Sequence, residues 1–224
     1  MLPKVILHNT VSLDGSIKDF EVHLGIHYQV ARKFKAEAHL IGSITAKTGI
    51  HTFNDRVPRE KKSDRVKLCT TSGDERPLWV IPDSRGILKN LLHVFRRSGY
   101  CKDVIVFTSM KTPKNYLEYL REREYDFFIV GNDHVDYHQA LGLLYTRYDV
   151  RTVLTDTGGI LGSILLERGL VDEISLLITP VLVGKNATYL FRILHHNVTL
   201  ELIKSEIYDE NYMHLLYKIE KGEN

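Results

Sequence analysis

Short apolar runs alternate along the chain with segments in which apolar residues recur every three to four positions. Runs of four to eight residues rich in Val, Ile and Leu are typical of buried strands, and the three-to-four spacing is typical of amphipathic helices. The predicted strands cover residues 4–10, 39–42, 78–81, 104–108, 127–131, 150–155 and 173–183. The predicted helices cover residues 27–38, 113–123, a segment between the fifth and sixth strands, and 160–168.

This alternation predicts an α/β fold with a mostly parallel central sheet flanked by helices. Two further alternating runs, 198–207 and 212–219, enclose Asp209-Glu210-Asn211 and predict an antiparallel C-terminal hairpin. Pro180 inside the seventh strand predicts a bulge or a sheet edge, because proline has no N–H to donate to a ladder. The chain shows no internal repeat and no shift in composition, so we expect residues 1–224 to form a single domain.

Composition narrows the class of protein. Lys plus Arg number 30 and Asp plus Glu 28, and the resulting net charge of +2 gives no reason to expect a nucleic-acid partner. Two cysteines exclude a disulfide framework and a cysteine zinc site. The longest uncharged apolar run, between Glu173 and Lys185, is shorter than the ~20 residues that span a bilayer. We therefore expect a cytoplasmic protein without a membrane or nucleic-acid partner.

Residues 51–76 form the most irregular stretch and carry a run of positive charge. The cations are Arg56, Arg59, Lys61, Lys62, Arg65 and Lys67. Such a run is usually a solvated loop, and the alternative is a mobile loop that meets an anionic substrate.

Three predicted strand ends carry candidate chemistry. The sixth strand is followed by residues 156–159, Asp-Thr-Gly-Gly, where backbone N–H groups can hold a phosphate or the glycines simply make a tight connection. Ser84 and Arg85 follow the third strand, a position suited to a ribose phosphate, although Asp83 and Ser84 also make an ordinary turn. Thr45 follows the second strand.

Metal and hydrolase chemistry have little support in the sequence. His23/His27 and His134/His138 have the i, i+4 spacing with which one helix face binds zinc, but no third ligand is evident. Neither a G-x-S-x-G nucleophile motif nor a zinc-deaminase signature is present. We therefore expect no metal.

Taken in order, these segments resemble the reductase domain of riboflavin biosynthesis, a family that shares the dihydrofolate reductase fold. The resemblance extends from Val5 to Lys218. Its most specific part is 155–184, with an acidic residue, a Gly-rich turn, Leu-Val-Asp-Glu and Pro-x-Leu-x-Gly. Ser-Leu-Asp-Gly at 12–15, Gly42-x-x-Thr45 and Asp83-Ser84 are its N-terminal marks.

The resemblance implies an NADPH-dependent reductase that converts the ribosylamino group of a pyrimidinone 5′-phosphate to ribitylamino. Contacts with NADPH are then expected from Thr45, Ser84, Arg85, Gly158, Gly159, Ile160, Leu161, Gly162 and Ser163. Asp156 matches an acidic residue that faces the substrate, with His8 as a polar neighbour and second catalytic candidate. Lys33, Phe53 and Arg56 match substrate contacts, and we expect Lys33 and Arg56 to hold the 5′-phosphate. Members of the family are commonly homodimers.

The chain also departs from the family pattern. Gly49 stands where Asp is usual, His8 where Lys or Asn is usual, and Asp156 where Glu is usual. These departures leave three alternatives open: another reductase of the same fold acting on a pterin or other substrate, a non-catalytic nucleotide-binding relative, and a structural protein. Because no deaminase segment precedes Lys4, we expect a stand-alone reductase that acts on the 2,5-diamino compound before deamination.

Overall fold

The computed structural model of the chain describes residues 1–53, 56–67, 73–191 and 193–220. These residues divide into two compact units. The inserted unit comprises Met1–Pro3 and the described residues of Glu37–Arg151. The hairpin unit comprises Lys4–Ala36 and the described residues from Thr152 onward.

Helices and strands alternate through most of the described chain. In chain order the elements are β1 (Lys4–Ser12), α1 (Leu24–Arg32), β2 (Ala38–Leu40), α2 (Ser43–Phe53), β3 (Leu78–Pro82), α3 (Leu92–Arg97), β4 (Val104–Thr108), α4 (Lys114–Glu122), β5 (Asp126–Ile129), α5 (Tyr137–Tyr148), β6 (Thr152–Thr155), α6 (Gly159–Glu167), β7 (Glu173–Thr179), β8 (Leu200–Tyr208) and β9 (Tyr212–Ile219). Short 3₁₀ helices lie at Lys62–Arg65 and Gly184–Asn186.

Each unit contains its own run of sheet. In the hairpin unit the strand order is β6-β1-β7-β9-β8, with parallel pairing among the first three strands and antiparallel pairing of β9 with β7 and β8. In the inserted unit the order is β5-β4-β3-β2, and all pairs are parallel. The predicted α/β fold, with mostly parallel strands and an antiparallel C-terminal hairpin, is confirmed.

The bounds of two predicted elements differ most from those in the structure. The helix predicted at 27–38 begins earlier, at Leu24, and ends at Arg32, because Lys35 takes a left-handed φ of 46° and Ala38 already begins β2. The strand predicted at 173–183 ends at Thr179. Pro180 follows directly, and because proline has no N–H to continue the ladder, the strand ends before it. Pro180 therefore makes neither a bulge nor an edge inside β7.

Apolar clusters fill each unit between its sheet and its helices. In the inserted unit one cluster joins α2, α3 and α4 to β3 and β4, and in the hairpin unit Ile26, Val30, Leu177 and Tyr208 pack together. Burying one Val, Leu or Ile side chain stabilises the fold by about 1.5–3 kcal/mol. None of the described helices has both the length and the apolar character that a membrane span requires.

The described part of the basic stretch, residues 56–67, belongs to the inserted unit and is joined to the rest of it by ion pairs. Asp64 in its 3₁₀ helix is buried and pairs with Arg97 of α3. Lys67 Nζ lies 2.6 Å from an Asp126 carboxylate oxygen. All six cations of the stretch are exposed, as a solvated loop would have them. Mobility and contact with an anionic substrate stay predictions.

Asp14 joins the loop after β1 to the loop after β7. Its carboxylate accepts hydrogen bonds from the Ser12 hydroxyl and from the backbone N–H groups of Val183 at 3.2 Å and Gly184 at 2.7 Å. These bonds, led by that of Ser12, lower the pKa of Asp14 to about 2. Ser-Leu-Asp-Gly and Pro-x-Leu-x-Gly, far apart in sequence, are therefore in direct contact.

The lowered pKa of Asp14 predicts a pH-dependent contribution to stability. A carboxyl whose pKa is depressed by folding stabilises the protein fully above its unfolded pKa near 4, and the contribution is lost as the pH falls through about 2. We expect Asp14→Asn to be less stable than the wild type at about pH 6, and the difference to shrink between about pH 4 and pH 2. Urea unfolding across this range measures it.

The matched control for Asp14 is Asp149→Asn. Asp149 has an 81% exposed side chain and a left-handed φ of 52°, which asparagine tolerates well. We expect this variant to differ little from the wild type at any pH. A destabilisation of Asp14→Asn that is the same at both ends of the pH range would contradict the assigned hydrogen bonds.

Candidate active site

One inner strand of the hairpin unit, β1, carries consecutive polar residues. β1 lies between β6 and β7, and its His8, Asn9 and Thr10 are 0%, 7% and 7% exposed. A buried polar group without a hydrogen bond costs about 1–3 kcal/mol, so each of these side chains needs a partner close by. The partners come from α1, β7 and the segment after β6, and together they define the candidate site.

His8 is held in one tautomer by its two partners. Its Nε2 lies 3.3 Å from the backbone oxygen of His27, which can only accept, so Nε2 carries a proton. Burial, followed by the nearby His27, lowers the pKa of His8 to about 3, so the ring is neutral at pH 7. The bare Nδ1 therefore accepts a hydrogen bond from the Ser175 hydroxyl at 2.9 Å.

The hydrogen bonds continue from Ser175 into the C-terminal hairpin. Because its hydroxyl donates to His8, the Ser175 oxygen accepts from Nε2 of His214 at 2.8 Å. Burial lowers the pKa of His214, and its Nδ1 lies 3.6 Å from a carboxylate oxygen of Glu206. A directed series of polar side chains thus connects β1, β7 and β9 within the hairpin unit.

Asp156 follows β6 and pairs with a histidine of α1. Its Oδ2 lies 3.1 Å from Nε2 of His27, and the two side chains are 42% and 6% exposed. Nδ1 of His27 lies 2.8 Å from the Thr10 hydroxyl, and the ring centroids of His27 and His8 are 4.5 Å apart. Asp156 is therefore partly exposed, whereas His8, Thr10 and His27 beside it are buried.

The structure gives His27 a role that the sequence analysis missed. His8 was predicted as the polar neighbour of Asp156, and the hydrogen bond to this carboxylate comes from His27. His23, which has the i, i+4 spacing from His27, caps α1 by accepting from the Ile26 N–H at 3.2 Å. Among the described residues, no group of three or more His, Cys, Asp or Glu is placed to hold a metal. The available signal was the polar run in β1, which needs partners from a neighbouring element.

Lys33 follows α1, and its ammonium is already paired. Nζ lies 3.2 and 3.3 Å from the two carboxylate oxygens of Glu206 and donates to the Tyr208 hydroxyl. The hydrogen bond with Tyr208, more than that with Glu206, raises the pKa of Lys33. A substrate phosphate at Lys33 would have to compete with the Glu206 carboxylate.

Two glycines at the start of α6 allow close packing inside the hairpin unit. A Cβ on Gly159 would lie 2.6 Å from the backbone oxygen of Leu190. A Cβ on Gly162 would lie 2.8 Å from the Leu7 side chain of β1. Gly158 is the N-cap of α6 with φ −63°, so it needs no left-handed backbone. The tight-connection interpretation of residues 156–159 therefore has structural support at Gly159. The contacts of Gly158, Gly159 and Gly162 with NADPH stay predictions.

The remaining predicted cofactor residues of α6 differ in exposure. Ile160 is 56% exposed, whereas Leu161 and Ser163 are 7% and 0% exposed. The Ser163 hydroxyl has no hydrogen-bond partner among the described residues. Asn9 donates from Nδ2 to the Thr157 backbone oxygen at 3.2 Å, and its buried Oδ1 likewise has no described partner. Polar atoms without partners beside a helix N-terminus fit a nucleotide cofactor that brings hydrogen-bonding groups.

Three further predicted cofactor residues lie in the inserted unit. Thr45 is exposed in the first turn of α2, directly after β2, and Ser84 and Arg85 form the turn after the neighbouring parallel strand β3. Arg85 is exposed and Ser84 is half-buried. Asp83 shapes this turn, since its 1% exposed carboxylate accepts two backbone N–H bonds at 3.1 and 3.0 Å. Thr45 after β2 and Arg85 after β3 are thus exposed side chains, and Asp83 stabilises the turn that carries Arg85.

The other predicted substrate contacts lie at the end of α2 and beyond it. Phe53 ends α2, and its side chain lies outside the described residues. Arg56 is exposed. Gly49, where the family usually has Asp, has nothing within 4 Å of the place a Cβ would occupy, so packing does not require glycine there.

Two curated proteins are similar to this chain in sequence. A protein of Aquifex aeolicus named 2,5-diamino-6-ribosylamino-4(3H)-pyrimidinone 5′-phosphate reductase is 25% identical over 196 residues, covering 81% of this chain and 79% of that protein. A protein of Archaeoglobus fulgidus with the same name is 24% identical over 193 residues, covering 82% of this chain and 83% of that protein. Both are named as reductases.

Solved structures share the fold along nearly the whole chain. A pyrimidine reductase-like protein of Corynebacterium diphtheriae has a TM-score of 0.70 at 13% identity, with 98% of this chain and 92% of that chain covered. The riboflavin biosynthesis reductase of Saccharomyces cerevisiae has a TM-score of 0.63 at 16% identity, with 98% and 90% covered. RibD of Acinetobacter baumannii has a TM-score of 0.66 at 16% identity and covers 98% of this chain, which spans 58% of that protein.

The family pattern named RibD C-terminal domain matches residues 3–214. This range contains the segment 155–184, on which the resemblance to riboflavin-biosynthesis reductases mainly depends, and the predicted membership is confirmed. The chain therefore belongs to the RibD C-terminal domain family, the reductase family of riboflavin biosynthesis.

Proposed function

We propose that this chain is an NADPH-dependent reductase that converts the ribosylamino group of 2,5-diamino-6-ribosylamino-4(3H)-pyrimidinone 5′-phosphate to ribitylamino. Family membership and the names of the two relatives support the reaction class and the substrate. The observation that carries the proposal is the 42% exposed Asp156, held by His27 just beyond the carboxyl end of β6. In α/β sheets this edge is where ligands bind.

The proposed reaction consumes one hydride and one proton. NADPH supplies the hydride when it is bound. The bond between C1′ and the ring oxygen breaks, C1′ gains the hydride, and the released oxygen takes up the proton, so that the sugar is reduced and opened. The chain's own residues orient the substrate and favour the charge that develops on it.

Asp156 is proposed to accept a hydrogen bond from the substrate. The 2,5-diamino compound has an amino donor at the pyrimidine 2-position, and its deaminated counterpart has a carbonyl acceptor there. A carboxylate accepts hydrogen bonds and cannot donate, so it favours the amino compound. Arg56 and Lys33 remain the proposed contacts of the 5′-phosphate, where charge-assisted hydrogen bonds fix position.

We expect the wild-type protein to oxidise NADPH with the 2,5-diamino compound at a higher kcat/KM than with the deaminated compound, and not with dihydrofolate. In the deaminated compound the 2-carbonyl would meet the Asp156 carboxylate, and both acceptors would lack a donor. This mismatch costs about 1–3 kcal/mol, or roughly tenfold or more in kcat/KM. Asp156→Asn should narrow this ratio, and Asp149→Asn should leave it unchanged. A wild-type preference for the deaminated compound, or turnover of dihydrofolate alone, would contradict the proposed substrate.

We also expect NADPH to be preferred over NADH through Arg85. This exposed guanidinium beside Ser84 can pair with the 2′-phosphate of NADPH. Arg85→Ala should weaken NADPH binding by about 1–3 kcal/mol and leave NADH binding unchanged. Isothermal titration of both dinucleotides measures this, with Arg121→Ala, an exposed arginine of α4, as the control. Equal affinities of the wild type for the two dinucleotides would remove the role of Arg85.

We further propose that the protein is a homodimer that pairs through the outer face of the C-terminal hairpin. Leu202, Ile203, Ile207 and Met213 are 53%, 48%, 70% and 44% exposed there. Exposed apolar surface of this kind is typical of interaction sites, and twofold pairing is the commonest closed arrangement. Light scattering at micromolar concentration should give a dimer for the wild type and for Met110→Glu, and a monomer for Ile207→Glu. A monomeric wild type would refute the proposal.

A further inference from the structure

We propose that His27 is the positioning residue for Asp156, orienting its carboxylate and keeping it an acceptor for a donor group of the substrate. The inference rests on the proposed function, because it assigns a role within the same reaction. The residues that carry it all belong to the hairpin unit.

The contact between the two side chains has a defined direction. An ionised carboxylate only accepts, so the proton of the 3.1 Å contact is on Nε2 of His27. The second ring nitrogen, Nδ1, lies 2.8 Å from the Thr10 hydroxyl, which can donate to it. Turning the ring over would lose both hydrogen bonds, and the ring therefore has one orientation.

Packing holds the same ring in place. The His27 side chain is 6% exposed, with the His8 ring 4.5 Å away at an interplanar angle of 34° and the Tyr28 ring 5.1 Å away at 84°. His8 also donates a hydrogen bond to the backbone oxygen of His27 at 3.3 Å. Because His8 is neutral at pH 7, it adds no positive charge beside His27. The N–H of His27 is therefore a donor of fixed position next to the Asp156 carboxylate, which is the more exposed of the two groups.

This arrangement determines what Asp156 can recognise. A carboxylate has about four acceptor sites, and the N–H of His27 uses one of them. The exposed part of the group then faces a ligand as an acceptor in a set orientation. An amino group or a ring N–H of a pyrimidine fits such an acceptor, whereas a carbonyl would place two acceptors against each other.

The pair is tested first in the ligand-free protein by long-range ¹H–¹⁵N spectra of its histidine rings. We expect Nε2 of His27 to be protonated, with slow exchange of that proton with water. In Asp156→Ala the exchange should become faster, because the acceptor is gone. A ring protonated on Nδ1 alone, or an exchange rate that Asp156→Ala does not change, would overturn the proposal.

The consequence for the reaction is tested by kcat/KM for the diamino and the deaminated compounds. His27→Leu should lower the value for the diamino compound about 10- to 100-fold and narrow the ratio between the two, because the carboxylate loses its orientation. His27→Gln, which retains an N–H donor, should recover part of the kcat/KM for the diamino compound and part of the ratio between the two compounds. If Leu at this buried position unfolds the protein, the Gln variant still provides the test. His138→Leu and His138→Gln, at an exposed histidine of α5, are the matched controls.

A positional role also predicts that the two substitutions do not add. In the Asp156→Asn background, His27→Leu should produce no further narrowing of the ratio. An unchanged ratio in His27→Leu, with active protein, would overturn the role of His27 and leave the proposed function standing. A wild type that turns over neither compound would remove the proposed function, and the spectra would still decide whether His27 orients Asp156.

Discussion

The hairpin unit depends on one constraint: β1, an inner strand of its sheet, is buried and yet carries three consecutive polar side chains. His8, Asn9 and Thr10 need hydrogen bonds, and their partners lie on α1, β7 and the segment after β6. Satisfying them therefore aligns these elements with one another. The exposed carboxylate of Asp156 gains its position from the same set of bonds, so the packing of the core and the geometry of the candidate site have a common origin.

Close backbone approach has a similar effect on the loops around this site. Gly159 allows α6 to meet the Leu190 backbone, and Gly162 allows it to meet Leu7 of β1. Asp14 joins the loops that follow β1 and β7 through two backbone N–H groups. The motifs by which the family is recognised are thus, in this chain, also the places where its segments contact one another.

The elements of the fold could be predicted from the sequence where the local pattern determines them. β4 lies at its predicted bounds of 104–108, and the hairpin turns where Asp209 and Glu210 take left-handed φ values of 43° and 62°. The end of α1 could not be predicted, because the periodic apolar residues continue past Lys35, where the backbone turns. Asp156 was found through its motif, but His27, 129 residues away in sequence, becomes its partner only through the folding of α1 onto the sheet.

The neutral state of His8 has a thermodynamic consequence for the whole unit. Folding lowers its pKa from 6.5 to about 3, so between these values the unfolded chain binds a proton that the folded chain rejects. Each unit of acidification across this range therefore costs about 1.4 kcal/mol of folding free energy from this one ring. The His8 imidazole, which hydrogen-bonds within the candidate site, therefore also makes the folding free energy of the hairpin unit fall in mild acid, at a pH where most carboxylates are still ionised.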